Sequence, residues 1–374
     1  MARAPDHSAR AAPDWLAWAM RPLLIALVAA SLASGIAGGL LRVGVALAPE
    51  AGWLGRAAVA HAALMICGFL GTVIGIERAV AVKLRVAFVA PLASGLGGLA
   101  LLLGHGAAAA WLFVTAALVF VGVNVVVVRR QRAAHTLLLL LAALAWPVGT
   151  LLYAGSADGM ALLPWWFTFL VVTIAGERLE MTRLMRRRPA AQAALYTVLA
   201  LMLVGAATNG LAPAVGGALF GASMFLLAIW LGLFDIARRT VLAPGLSRYM
   251  ALCLLGGYAW LALAGAAWAA MAWGWPARDM ALHALGLGFI ISMVMGHAPV
   301  ILPAVAGIKL AFGPVFYLPL AALHASLMLR LFAGFDAGPW RALGASLNAG
   351  TIVLFALTVA MAALWWGVKH RTRR

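Results

Sequence analysis

Leu282-His283-Ala284-Leu285-Gly286-Leu287-Gly288-Phe289, running on to Gly296-His297-Ala298-Pro299-Val300-Ile301-Leu302-Pro303, is apolar, long enough to span a bilayer, and carries two histidines. In an α-helix those histidines lie about 21 Å apart along the axis and about 40° apart around it. They share a face but sit near opposite membrane surfaces. A second apolar stretch, His61-Ala62-Ala63-Leu64-Met65-Ile66-Cys67-Gly68-Phe69, also opens on a histidine. Whether His61 meets His283 decides most of what can be said about function.

The same apolar character extends outward over the whole chain. Of 374 residues, 66% are hydrophobic and 10% charged, and the mean hydropathy is +1.04. A soluble protein of this size cannot cover so much apolar surface, so lipid is the expected solvent. Runs of about 20 apolar residues recur throughout. They predict an all-α polytopic membrane protein with twelve spans, roughly 22–45, 57–80, 86–104, 107–128, 135–155, 161–179, 190–210, 213–234, 249–273, 279–303, 313–334 and 341–366. The first follows a polar start, Met1 to Met20, and is read as an uncleaved helix because further spans follow it.

A net charge of +17 would suggest nucleic acid in a soluble domain. Here the basic residues form short runs between spans with no aromatic interleaving. They read as topology signals and anionic-lipid contacts, and nucleic acid is not an expected partner. With the N-terminus inside, the inner segments hold Arg129-Arg130-Gln131-Arg132, Arg186-Arg187-Arg188, Arg238-Arg239 and Lys369-His370-Arg371-Thr372-Arg373-Arg374. About 22 of the 27 Lys and Arg then lie inside, which places both termini in the cytoplasm. Cys67 and Cys253 lie in apolar runs without a CxxC, so neither a disulfide framework nor a thiolate metal site is indicated.

An internal echo subdivides the chain. The second span ends Thr72-Val73-Ile74-Gly75-Ile76-Glu77-Arg78 and the sixth ends Thr173-Ile174-Ala175-Gly176-Glu177-Arg178. The tenth, four further on, carries the opening stretch. This predicts three four-helix units, 20–130, 133–240 and 247–368, about a pseudo-threefold axis.

Ionisable side chains inside spans are costly, and function is the default expectation for them. Four of the eight histidines qualify: His61, His283, His297 and His324. His61 and His283 each lie about four residues into spans that run the same way, so their imidazoles share a depth. Two readings stand. The pair clamps an iron porphyrin from both faces, with Gly68, Gly75 and Gly286 leaving room for a flat ring, or each histidine hydrogen-bonds across helices and the glycines only pack. For His297 and His324 the readings are a second metal or proton relay, and a helix cap plus a local hydrogen bond. Glu77-Arg78 and Glu177-Arg178 are either a proton entry point, pairs steadying a cofactor carboxylate, or interfacial ion pairs. No Ser/His/Asp triad, P-loop, HExxH or Rossmann fingerprint is present.

Twelve helices with an early histidine in the second and tenth resemble the catalytic subunit of haem-copper oxidases, and His61-Ala62-Ala63-Leu64-Met65 is similar to that family's HGxxM pattern. The sixth and seventh spans carry no histidine, so the resemblance does not extend to its copper centre. The chain is more similar to the NnrS family, twelve-helix haem proteins of bacterial membranes associated with nitric oxide. The residues carrying that likeness are His61 with Gly68-Phe69, His283-Ala284-Leu285 and Gly296-His297. The resemblance implies haem b on His61 and His283 in a bacterial inner membrane. It also implies nitric oxide handling or electron transfer, with a quinol or redox protein as partner. Copper is a further cofactor the resemblance leaves open, and His297 and His324 remain the candidates for a second metal site. A cofactor-free proton-coupled transporter and a haem or metal assembly factor are the competing classes.

Overall fold

The computed structural model describes residues 15–47, 52–182 and 189–371. His7, Arg186-Arg187-Arg188, Thr372-Arg373-Arg374 and the side chain of His370 lie outside the described residues. Among those described there is no strand. Twelve helices are long and apolar enough to cross a membrane: α1 Met20–Arg42, α2 His61–Val82, α3 Arg85–Leu102, α4 Gly106–Arg130, α5 Ala134–Ala154, α6 Gly159–Met181, α7 Ala190–Asn209, α8 Pro213–Phe234, α9 Leu246–Ala272, α10 Arg278–Ala306, α11 Pro314–Ala333 and α12 Pro339–Lys369. They match the predicted spans closely, because a continuous apolar run has no other way to satisfy its backbone in lipid. Arginine-rich connections gather on one side, called here the basic face. The opposite side is the far face.

Helices in lipid gain little from apolar burial against each other and associate through close packing. Where α8 crosses α9, a methyl group on Gly221 would lie 2.5 Å from the Gly265 carbonyl oxygen, so only glycine permits that approach. Under α6 an aromatic cluster fills the centre: Trp146 of α5 stacks on Phe169 at 4.7 Å, with Phe120 of α4 edge-on to both. Offset and edge-on pairs of this kind add about 0.5–1.5 kcal/mol each beyond burial. α6 is 72% buried over its apolar window and α12 only 17%, so α6 is central and α12 is a rim helix facing lipid. α2, α6 and α10, equivalent in the four-helix spacing, all line one cavity near the far face.

The helices carrying the predicted site are not regular. Residues Leu64–Gly71 of α2, Ala284–Ile291 of α10 and Leu329–Ala333 of α11 are π-helical, the only such segments among the described residues. The start of α2 also differs from expectation. A short helix, Gly52–Val59, ends at Ala60 (φ −90°, ψ 13°), and His61 is the first residue of the spanning helix rather than its fourth.

Candidate functional site

His61 and His283 do meet. Their ring centroids lie 6.3 Å apart, with the planes tilted by 32°. Two metal–nitrogen bonds of about 2.0–2.1 Å, one from each ring, would set imidazole centres roughly 6 Å apart. The π-turns bracket this contact, one beginning three residues after His61 and the other immediately after His283. A π-turn inserts a residue without adding a turn, re-aims what flanks it, and recurs at functional sites.

Each imidazole is fixed through Nδ1. His61 Nδ1 lies 2.7 Å from the Gly35 carbonyl oxygen on α1. A carbonyl can only accept, so Nδ1 carries the hydrogen and Nε2 keeps its lone pair. His283 Nδ1 lies 2.9 Å from Asp279 Oδ1, one helical turn back. It too donates, leaving the Nε2 lone pair uncommitted. Donation of the second nitrogen to a carboxylate or carbonyl is the usual support of a metal-binding histidine.

Asp279 is held in turn by Arg330 of α11, with Nε 3.0 Å from Oδ2 and Nη2 2.8 Å from Oδ1. The same Nη2 is 3.2 Å from Nδ1 and 3.1 Å from Nε2 of His283. A nitrogen equidistant from both ring nitrogens cannot lie in the ring plane without striking Cε1, so it stands over the ring face. The guanidinium therefore covers the imidazole as a cation over a π-system and leaves the Nε2 lone pair free.

Two adjoining spaces open on the pair. One, about 150 Å³, is apolar and runs toward the membrane centre between Met65, Phe167, Leu170, Gly286 and Ile290. Asn348 of α12 lines it and holds a buried carbonyl oxygen without a hydrogen-bond partner. The other, about 340 Å³, is a vestibule at the far face, lined by Arg42, Arg278, Arg330 and Arg341 around Asp279, its one carboxylate among the described residues. Arg341 is held by the Gly334 and Phe335 carbonyls and Arg330 by Asp279. Arg42 makes one exposed hydrogen bond, to the Ala58 carbonyl. By sequence position only five basic residues fall at the far face, Arg42, Arg56, Arg278, Arg330 and Arg341, and four of them meet in this vestibule.

His297 and His324 are not brought together. His297 Nδ1 donates to the Met293 carbonyl at 2.7 Å, near the basic face, where Glu77, Arg178 and Asp235 act on it electrostatically. His324 Nδ1 accepts from Trp260 Nε1–H at 2.7 Å with the two rings nearly coplanar, 13° apart. That bond occupies one lone pair of a neutral imidazole and puts the hydrogen on Nε2, which suits a packed polar pair rather than a metal ligand. Among the described residues no three His, Cys, Asp or Glu side chains gather in metal-binding geometry.

The Glu-Arg pairs are also rearranged. Arg78 points to Glu177 (3.7 Å), and Arg178 is bound to Asp235, with Nε–Oδ2 2.8 Å and Nη2–Oδ1 3.1 Å. Adjacent helical residues diverge by about 100°, which turns the two members of each text pair toward different neighbours, and the ion pairs formed are with residues of other segments.

A family model described as a domain of unknown function, DUF8744, matches residues 21–364. The chain belongs to the DUF8744 family. The match takes in all the site residues above, from Gly35 to Asn348. No curated protein and no solved structure matches the chain.

Sequence reasoning missed Asp279, Arg330, Arg42 and Arg278. The signals existed: Asp279 lies four residues before His283, Arg330 is a lone charge within a span, and all three arginines run against the positive-inside bias.

Proposed function

We propose that this DUF8744 protein is a haem b protein of a bacterial inner membrane, with His61 and His283 as the two axial ligands. The observation that carries the reading is the facing pair: two imidazoles from α2 and α10, 6.3 Å apart, each with Nδ1 committed and Nε2 free. The chemistry of the surroundings supports the reading. The cavity beside the rings is apolar, as a macrocycle requires. The vestibule offers Arg42 and Arg278, guanidiniums that form no ion pair among the described residues, to the two carboxylates of such a ring. Bound between two imidazoles, the group supplies one-electron transfer.

Electron transfer is the role this geometry supports best. Asp279 and Arg330 hold His283 from two sides, and the Gly35 carbonyl holds His61, so neither imidazole yields readily to an incoming small ligand. Nitric oxide handling enters as the chemistry the electrons serve, and a quinol or a separate redox protein is the partner. His324 spends Nδ1 on Trp260, so no copper is placed there.

The test is the absorption spectrum of the purified full chain. A Soret band typical of two nitrogen ligands is expected, lost or converted to a five-coordinate spectrum in His61→Ala and in His283→Ala. A protein without a Soret band, or one whose band survives both changes intact, overturns the reading.

A further inference from the structure

The apolar cavity beside the histidine pair continues well past the level of the rings. Its lining runs from His61 to Leu70 along α2, about 13 Å of helix, and from His283 to Ile291 along α10, about 12 Å. The proposed function uses the ring end and leaves the deeper end, around Leu70 and Ile291, unassigned.

Rim helices wall that deeper end. Ile36 and Leu40 come from α1, and Ala345, Asn348, Ala349 and Ile352 from α12. These are the first and last spans and the least buried of the twelve, at 33% and 17% over their apolar windows. Ile36, Leu40, Ala349 and Ile352 are themselves only half-buried. The vestibule serves the ring end from water, whereas the deeper end is parted from lipid only by α1 and α12. A molecule reaching it through that wall is lipid-soluble.

Away from the two histidines and Arg330, Asn348 is the one polar side chain in the lining among the described residues. It is 2% exposed, on a helix that otherwise faces lipid. A neighbour settles which way its amide turns. Ser326 Oγ of α11 donates its hydrogen to the Ala322 carbonyl at 2.7 Å, so it can only accept from Asn348, whose Nδ2 stands 2.7 Å away. Nδ2 therefore faces α11 and Oδ1 turns away from it. That oxygen is buried without a hydrogen-bond partner. An unpaired acceptor is costly, above all at hydrocarbon depth. Neither a lipid tail nor the apolar edge of a macrocycle brings it a hydrogen.

We propose that the deeper end of the cavity binds a lipid-soluble hydroxyaromatic of the quinol class, entering from the bilayer between α1 and α12, with a ring hydroxyl donating to Asn348 Oδ1. The apolar slot takes the flat ring, and the lone acceptor fixes its hydroxyl. Oδ1 can only accept, so the site distinguishes redox states: a quinone would set a carbonyl oxygen against it. The choice of a quinol over other hydroxyaromatics rests on the electron-transfer reading. It selects the quinol over a separate redox protein as the partner.

Calorimetric titration of the full chain in lipid nanodiscs, anaerobic and reduced with dithionite, tests this. The probes are decylubiquinol and its dimethyl ether, which keeps the ring and tail but has no hydroxyl donor. The wild type should bind the quinol saturably and about tenfold more tightly than the ether. Asn348→Leu removes the acceptor and should erase that preference by weakening the quinol alone. Ala349→Trp fills the deeper end and should abolish binding of both. Thermal unfolding like the wild type's establishes that the variants are folded. No saturable quinol binding in the wild type, a preference that survives in Asn348→Leu, or binding that survives in Ala349→Trp overturns the proposal. The Soret band of the same samples reports on the histidine pair separately: its absence overturns the haem reading, while the titration decides the quinol site.

Discussion

Asp279→Asn separates a supported ligand from an incidental histidine contact. The substitution keeps the side chain's shape and one carbonyl acceptor but removes the charge that Arg330 and His283 both use. Arg330, 7% exposed, loses its ionic partner. Breaking a buried pair from one side costs about 3–5 kcal/mol when the surviving charge is sealed from water. Asp279 is 19% exposed and opens on the vestibule, so roughly half that penalty, about 2 kcal/mol, is expected in unfolding. For the ligand, loss of a supporting carboxylate lowers metal affinity about 10–100-fold. The assay follows the Soret band while a competing apo-globin withdraws haem, alongside thermal unfolding. Adding Arg330→Gln removes the orphaned charge and should recover stability, giving a coupling of at least about 1 kcal/mol between the two positions. If Asp279→Asn retains haem like the wild type while His283→Ala loses it, Asp279 does not support the ligand. If the two substitutions are additive in stability, the ion pair is not what holds this end of α10 to α11.

Two other substitutions probe packing. A methyl group added in Gly39→Ala would lie 2.7 Å from His61 Cε1 and 3.0 Å from Nδ1, so the ring must move off the Gly35 carbonyl. Axial ligation should weaken while stability changes by about 1–3 kcal/mol. Gly35→Ala meets instead the flexible Met65 sulfur at 2.7 Å and should keep the spectrum, so equal spectra in the two variants would refute the assigned ring position. Arg178→Gln leaves Asp235 unpaired at 1% exposure and should lose about 3–5 kcal/mol in denaturation. Arg178→Met with Asp235→Leu should restore most of it, and a single variant as stable as the wild type would show that the pair is not sealed.

The sequence carried the spans, because hydropathy is a sum over about 20 residues and tolerates local error. It also carried the meeting of His61 with His283, since two helices running the same way place equal offsets at equal depth. What it could not carry was rotation. The prediction that His283 and His297 share a face assumes about 100° per residue throughout, and one inserted π residue in Ala284–Ile291 shifts that phase by about a full step. Side-chain pairing was hidden for a related reason. Glu77-Arg78 looks like a pair in text, but the helix turns the two apart, and the partner of Arg78 lies 99 positions on, at Glu177. Asp279 was legible as an i, i+4 partner of His283. Arg330 was legible only as an expensive charge, since nothing in the sequence says that α11 faces α10.

The histidine pair and the polar residues at the basic face, Glu77 on α2 and His297 on α10, lie on the same helices, which raises the question of how far one site influences the other. His283 and His297 are 14 residues apart, about 21 Å along α10. Between the two levels the central faces carry Leu70, Phe167, Leu170, Ile290 and Ile291, an apolar layer that offers a proton no continuous chain of donors. Thr72 and Ser292 do not bridge it: the Thr72 hydroxyl donates to its own helix at Gly68, and Ser292 Oγ has no partner. The remaining link is the field. A unit charge at 21 Å in an effective dielectric of about 20 contributes roughly 0.8 kcal/mol, about 35 mV on a one-electron potential. Removing one unit charge beside His297, as in Arg178→Gln, should therefore move the midpoint potential of the histidine site by a few tens of millivolts at most, measured by redox titration in lipid. A shift several times larger would require a conducting path through the layer, and would make the two sites one proton-coupled device rather than two neighbours on a shared scaffold.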